Sequence, residues 1–391
     1  MANPPHIYGL DAQGHDFVAA AAKIAQDVVA KHAGDVDQKG RFPSEAMEAL
    51  AKAGFHGLTL PTALGGKGRG PRDFCAVVEE LGAQCASTAM IYVMHTAASQ
   101  AIAAAKSLGT KDEILREIAA GKHLTTLALT EAGSRSQFWF MTSELKEQGD
   151  ASLFTSTKRF VTSSEHADSY VTESRRPGAK GPAELSMFLA HRKSQGVKVK
   201  GGYDGLGLRG NESGAVEFSG YKVSKSDLLL PHGEGNAHAL GVVLPWFNIG
   251  TSAMAHGVSR AAIAATTAHL TNTGFEHDKT KLRDLPTLRA RLAEMQVRLD
   301  QSRALLRYAL DLIENPAPFT PLYVLQCRYA AINAAVDVTD LAMKACGGAA
   351  FAKQVGVERN FRDARAGWVM APTSDASADF IGRALTGMEL M

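Results

Sequence analysis

The sequence lacks an excess of charge of either sign: 42 lysines and arginines stand against 40 aspartates and glutamates in 391 residues, a formal net charge of +2. That balance gives no reason to expect a nucleic-acid or polyanion partner. Cysteine is scarce. Cys75, Cys85, Cys327 and Cys346 have no metal-ligand spacing and sit in apolar or helical contexts. They read as buried free thiols of a reducing compartment, and no metal site is expected. The N-terminal MANPPHIYGLD lacks a basic-then-apolar leader, and no apolar run approaches membrane-spanning length. A cytoplasmic location without a membrane partner is therefore expected. The glycine-rich stretch from Gly54 to Gly70 is no phosphate loop, because it lacks the lysine–hydroxyl pair and the strand-then-helix frame. What remains is 45% hydrophobic and 21% charged, the balance of a globular protein with a large core.

Hydrophobic spacing divides the chain into three. Phe17, Ala20, Ile24 and Val28 fall on one helical face, and helical patterns follow over Ser44 to Lys52, Pro71 to Gly82, Ser87 to Leu108 and Lys111 to Ala120. From Leu124 the period shortens. Short β patterns recur at Ser186 to Ala190, Val197 to Lys200 and Ala215 to Phe218. After Gly235 the helical period returns, with apolar stripes from Leu285 to Leu310 and from Tyr323 to Lys344. The expected fold class is α+β: a helical domain over 1–123, a small β-barrel or sandwich over 124–231, and a four-helix bundle over 232–391.

The stretch from Leu124 to Arg176 holds the densest set of residues able to grip a planar cofactor. Leu124 to Thr130, Lys158 to Thr162 and Ala167 to Thr172 read as strands. They place the hydroxyls of Thr130, Ser136 and Thr162 on one rim, with Phe160 available for a ring face. An ordinary β-sandwich with hydroxyls at its turns fits the same residues.

The order of motifs along nearly the whole chain resembles the acyl-CoA dehydrogenase superfamily of flavoproteins. Thr130-Glu131-Ala132-Gly133-Ser134-Arg135-Ser136 resembles its threonine-glutamate-proline-glycine motif, and Lys158 to Thr162 its lysine-x-aromatic-isoleucine-threonine strand. Gly207 to Ser213 is similar to the family's hydrophilic loop, Gly347-Gly348 to its glycine pair, and Arg359 to Arg365 to its C-terminal run. The resemblance implies an FAD cofactor held by Leu127, Leu129, Thr130, Ser136, Phe160, Thr162, Gly347, Gly348 and Thr373. It implies an acyl thioester substrate, CoA- or carrier-bound, near Arg135, His95 and Asn248, and a homo-oligomer, expected to be a tetramer. His95 has packing as its first reading and proton relay as its second.

The chain departs from the family where the chemistry is done. The usual glutamate belongs to a tyrosine-glutamate-glycine-threonine motif, which here reads Met370-Ala371-Pro372-Thr373, so Ala371 takes the place of the base. The alternative position, within Leu244 to Gly250, has no carboxylate either. Asp375 is the candidate substitute, unless it is an acid favoured by a helix dipole behind a Thr373 or Ser374 cap. Gly274 to Lys281 does not match the adenine-side motif, and Arg135 with Phe138-Trp139-Phe140 replaces small residues at the substrate entrance. The leading expectation is α,β-oxidation of an acyl thioester with a non-standard base. A flavin-dependent monooxygenase and a non-catalytic partner subunit are the alternatives.

Overall fold

The computed structural model describes residues 8–389. The expected α+β architecture is present. Asp11 caps the first helix by accepting the Gly14 N–H at 2.7 Å. That helix, α1 (Ala12–Ile24), continues through a π turn into α2 (Ala30–Lys39), which ends on left-handed Gly40. The helices α3 (Ser44–Lys52), α4 (Pro71–Gly82), α5 (Ala86–Ala103) and α6 (Lys111–Ala119) complete this region. Helix α5 is buried nearly all round, as a sequence of mostly apolar and small residues without a charged side chain allows. It stops short of Leu108 because the Lys106 and Ser107 amides instead donate to the Leu229 carbonyl.

The middle domain is two packed sheets. β1 (Thr125–Ala128), β4 (Ser169–Arg175) and β5 (Leu185–His191) form one in the order β1-β4-β5, with β1 parallel to β4. β2 (Lys146–Gln148), β3 (Ala151–Val161), β6 (Val197–Gly201) and β7 (Gly214–Ser224) form the other, antiparallel in the order β2-β3-β7-β6. Phe154, Phe188 and Phe218 interlock between them, with ring centroids 4.9 and 5.0 Å apart. Ahead of Lys158 lie the edge strand β2, exposed at every residue, and the first seven residues of β3.

The last region contains α7 (Gly235–His238), α8 (Leu244–Asn272), α9 (Pro286–Glu314), α10 (Thr320–Phe351), α11 (Val357–Val369) and α12 (Ser374–Leu385). Helices α8, α9 and α10 pack around Ala262, Met295, Val338 and Ala342. A buried polar network ties this bundle to the first helices. Tyr8 donates to Glu79 at 2.6 Å, His256 links Tyr8 to Ser302, and Arg303 and Arg260 pair with Glu79. None of the helices among the described residues is long and apolar enough to cross a membrane.

Candidate functional site

A cleft of about 840 Å³ opens where the β domain meets the helices. Its two walls differ in chemistry. One wall comes from the β domain: Leu127, Leu129, Thr130 and Ser136 follow from β1, Phe160 and Thr162 from the end of β3, and Asn211 and Ser213 from the loop before β7. The other is helical and apolar, with Met90 and Met94 of α5, Leu244 and Phe247 of α8, and Met370 and Ala371 beyond α11. Seven of the nine residues expected at a flavin thus share one cavity, Thr373 being the seventh. Phe160 adopts a left-handed backbone (φ 54°) and leaves its ring 68% exposed. An apolar ring held this way offers a face for a flat partner.

Behind the β wall lies a buried charge cluster. Glu131 accepts from the Thr142 amide and hydroxyl at 2.9 and 2.7 Å, from the Ser156 hydroxyl at 2.7 Å, from Lys158 Nζ at 3.0 Å, and from Ser143. Burial alone would raise its pKa, but the Lys158 charge and these hydroxyls hold it well below the usual carboxylate range. Lys158 is fully buried and also donates to the Glu173 carbonyl at 2.7 Å. The Glu173 carboxyl itself has no partner, and burial pushes its pKa up to about 8. It is therefore the neutral member of the cluster at pH 7.

Other expected residues stand elsewhere. His95 is buried: its Nδ1 accepts the Thr125 N–H at 3.2 Å, and Nε2 lies 3.3 Å from the His56 carbonyl. Burial keeps it neutral by holding its pKa well below the ordinary value. That is a packing role. Asn248 is fully buried in α8 behind Phe247, with both amide atoms unpartnered. Gly347 breaks the α10 backbone (φ 54°, ψ −132°), and an added Cβ at either glycine of the pair would meet nothing within 4 Å. Neither glycine lines the cleft. Thr373 caps α12 by accepting the Ala376 N–H at 3.2 Å. Asp375 follows in the first turn, exposed, and does not line the cleft, which is the position of a dipole-favoured acid. Glu131 is the only carboxylate among the lining residues.

Sequence reasoning did not single out Arg159, Tyr203, Asn211 or Ser213, all of which line the cleft. Arg159 lies inside the quoted strand motif and Asn211 with Ser213 inside the quoted loop motif, so the motifs located the segments without ranking these side chains.

A helical domain, a β domain and a helical bundle thus meet at one cleft. Three family profiles match in order: the acyl-CoA dehydrogenase N-terminal domain over residues 12–122, the middle domain over 126–221 and the C-terminal domain over 233–386. The chain belongs to the acyl-CoA dehydrogenase family, and it is an oxidoreductase of that type, a class whose cofactor is FAD. It is 28% identical to cyclohex-1-ene-1-carbonyl-CoA dehydrogenase of Geobacter metallireducens over 93% of this chain and 95% of that one. It is 27% identical to acryloyl-CoA reductase (NADH) of Anaerotignum propionicum, covering 93% and 91%. Among solved structures it superposes on butyryl-CoA dehydrogenase from Megasphaera elsdenii with a TM-score of 0.91 at 22% identity, over 97% and 99% of the two chains.

Proposed function

We propose that this protein oxidises or reduces the Cα–Cβ bond of an acyl thioester with bound FAD, in a cleft that supplies no carboxylate base of its own. The residues present fit the flavin. Thr130, Ser136 and Thr162 offer hydroxyls for a heteroaromatic edge, Phe160 offers a ring face, and the buried Asn211 Oδ1 lacks any partner in the protein. FAD supplies the hydride chemistry. The chain's own groups orient the thioester against the apolar helical wall and exclude water from it.

The observation that carries this reading is the absence of a free carboxylate from the cleft lining. Glu131 accepts six hydrogen bonds from four residues and stays ionised, so it has neither the freedom nor the basicity to take a proton. Ala371 lines the cleft where the family's base is expected. Thioesters whose α-proton is already acidified by conjugation are then the fitting oxidation substrates, because a simple thioester needs a positioned base. A flavin monooxygenase, which needs no α-base, is the second reading favoured by the same observation. Anaerobic mixing of the FAD-loaded protein with a conjugated and a saturated acyl-CoA distinguishes them. Bleaching of the flavin by the conjugated substrate supports the thioester reading; no bleaching by either, with oxygen consumed on addition of a reductant, supports the second.

A homo-oligomer, expected to be a tetramer, belongs to the same proposal. Phe351, Val369 and Leu385 on the last three helices are 86%, 72% and 70% exposed, apolar area that a second copy would cover. A monomer in sedimentation at micromolar concentration would overturn it.

A further inference from the structure

Arg135 and Arg159 both line the cleft, and both side chains are exposed. Among the described residues neither guanidinium joins an ion pair or donates a side-chain hydrogen bond. That is unusual in a chain whose other cleft charge, Glu131, is neutralised by Lys158. Backbone bonds tie the two arginines to consecutive carbonyls of one segment. The Arg159 N–H donates to the Thr130 carbonyl at 2.8 Å, and the Arg135 N–H donates to the next carbonyl, that of Glu131, at 2.9 Å. Arg135 is kept in the left-handed region (φ 52°), which a non-glycine residue occupies at a cost, and Phe160 beside Arg159 is held likewise (φ 54°). Two cations thus line one cleft, Arg135 on a left-handed backbone of its own and Arg159 next to one.

We propose that Arg135 and Arg159 form a two-arginine clamp for a phosphate or diphosphate group of the ligand bound in this cleft. One guanidinium fork satisfies one carboxylate, so a pair of free forks fits a group with oxygens spread over more than one face and more than one negative charge. The exposed setting agrees: a single solvent-screened pair contributes little, and a multiply charged ligand engaging both overcomes that. Two sources carry this chemistry, the diphosphate of the flavin and the phosphates of the thioester's CoA handle. The inference rests on the thioester reading above only for the second source.

The test compares wild type with Arg135→Gln, Arg159→Gln and the double variant, with Arg135→Gly as the backbone-compatible control for folding. FAD is titrated into flavin-free protein by fluorescence quenching, and CoA and pantetheine are titrated into FAD-loaded protein by calorimetry, each at low and high salt. The clamp predicts that each arginine lost weakens one phosphate ligand about tenfold and reduces the salt dependence of its binding. Weaker FAD binding identifies the flavin diphosphate as the ligand. Unchanged FAD with weaker CoA and unchanged pantetheine identifies the CoA handle. Unchanged affinity for both FAD and CoA overturns the clamp, as does equal weakening of CoA and pantetheine. Selective weakening of an acyl-pantetheine with a terminal carboxylate also overturns it, since the group recognised would then be a carboxylate. A wild type that binds no FAD defeats the flavin reading, while variants that bind it unchanged leave that reading standing.

Discussion

The two walls of the cleft invite comparison because they were built under opposite rules. The β wall is polar and backed by buried charge: hydroxyls, a saturated carboxylate, a buried lysine and two free arginines. The helical wall is apolar from Met90 to Ala371 and has no ionisable group at all. Acyl-CoA dehydrogenase chemistry asks for a flavin grip on one side and a base on the other. In this cleft the residues proposed to grip the flavin are present, and the helical lining carries no carboxylate.

The largest effect is expected where the β wall is most committed. Lys158→Met leaves Glu131 as a buried, unpaired charge, a change that costs ~3–5 kcal/mol in comparable sites. Urea midpoints measure it, and Glu131→Gln combined with Lys158→Met should recover part of the loss. Next is Glu173. Its folded pKa, about 8, stands above the ordinary 4.5, so between those values the unfolded chain releases a proton that the folded chain keeps. Stability from this group is full below 4.5 and is lost as pH rises through 8. Glu173→Gln should flatten that decline, gaining on the order of 2 kcal/mol at the alkaline end. On the acid side both proteins should weaken. Burial lowers the pKa of His56 to about 4 and of His256 to about 3, so stability present above 6.5 is lost as pH falls through those values. Melting temperatures from pH 3 to 9 on both proteins test the sign. The smallest effect is a gain: Arg135→Gly relieves the left-handed backbone and should stabilise by about 0.5–1 kcal/mol, while the clamp loses affinity. A loss of stability there would mean that the Arg135 side chain holds the loop together.

The sequence made the β wall legible and the helical wall only partly so. Hydroxyls and an aromatic at strand ends follow a local pattern, which is why Thr130, Ser136, Phe160 and Thr162 meet in one cleft. The departure at Ala371 was equally local, and that residue lines the cleft. Asp375 was a matter of helical reach, and reach depends on where α12 sits. The Thr373 cap starts that helix with Asp375 facing solvent. Asn248 and His95 illustrate the same limit. Each lies next to a cleft-lining residue along its helix, but both side chains are buried and outside the cleft lining. The neutral state of Glu173 was beyond any pattern, since it arises from burial, reinforced by the Glu131 charge and opposed by that of Lys158.

The measurement that bears most directly on the cleft without a base is stopped-flow reduction of the bound flavin by a saturated acyl-CoA, run on wild type, Ala371→Glu and Asp375→Asn. A slow wild type, an Asp375→Asn variant within a few-fold of it, and an Ala371→Glu variant faster by ~10²–10⁴-fold are the expected results. A wild type that reduces quickly, silenced by Asp375→Asn and not helped by Ala371→Glu, would contradict the account and make Asp375 the base.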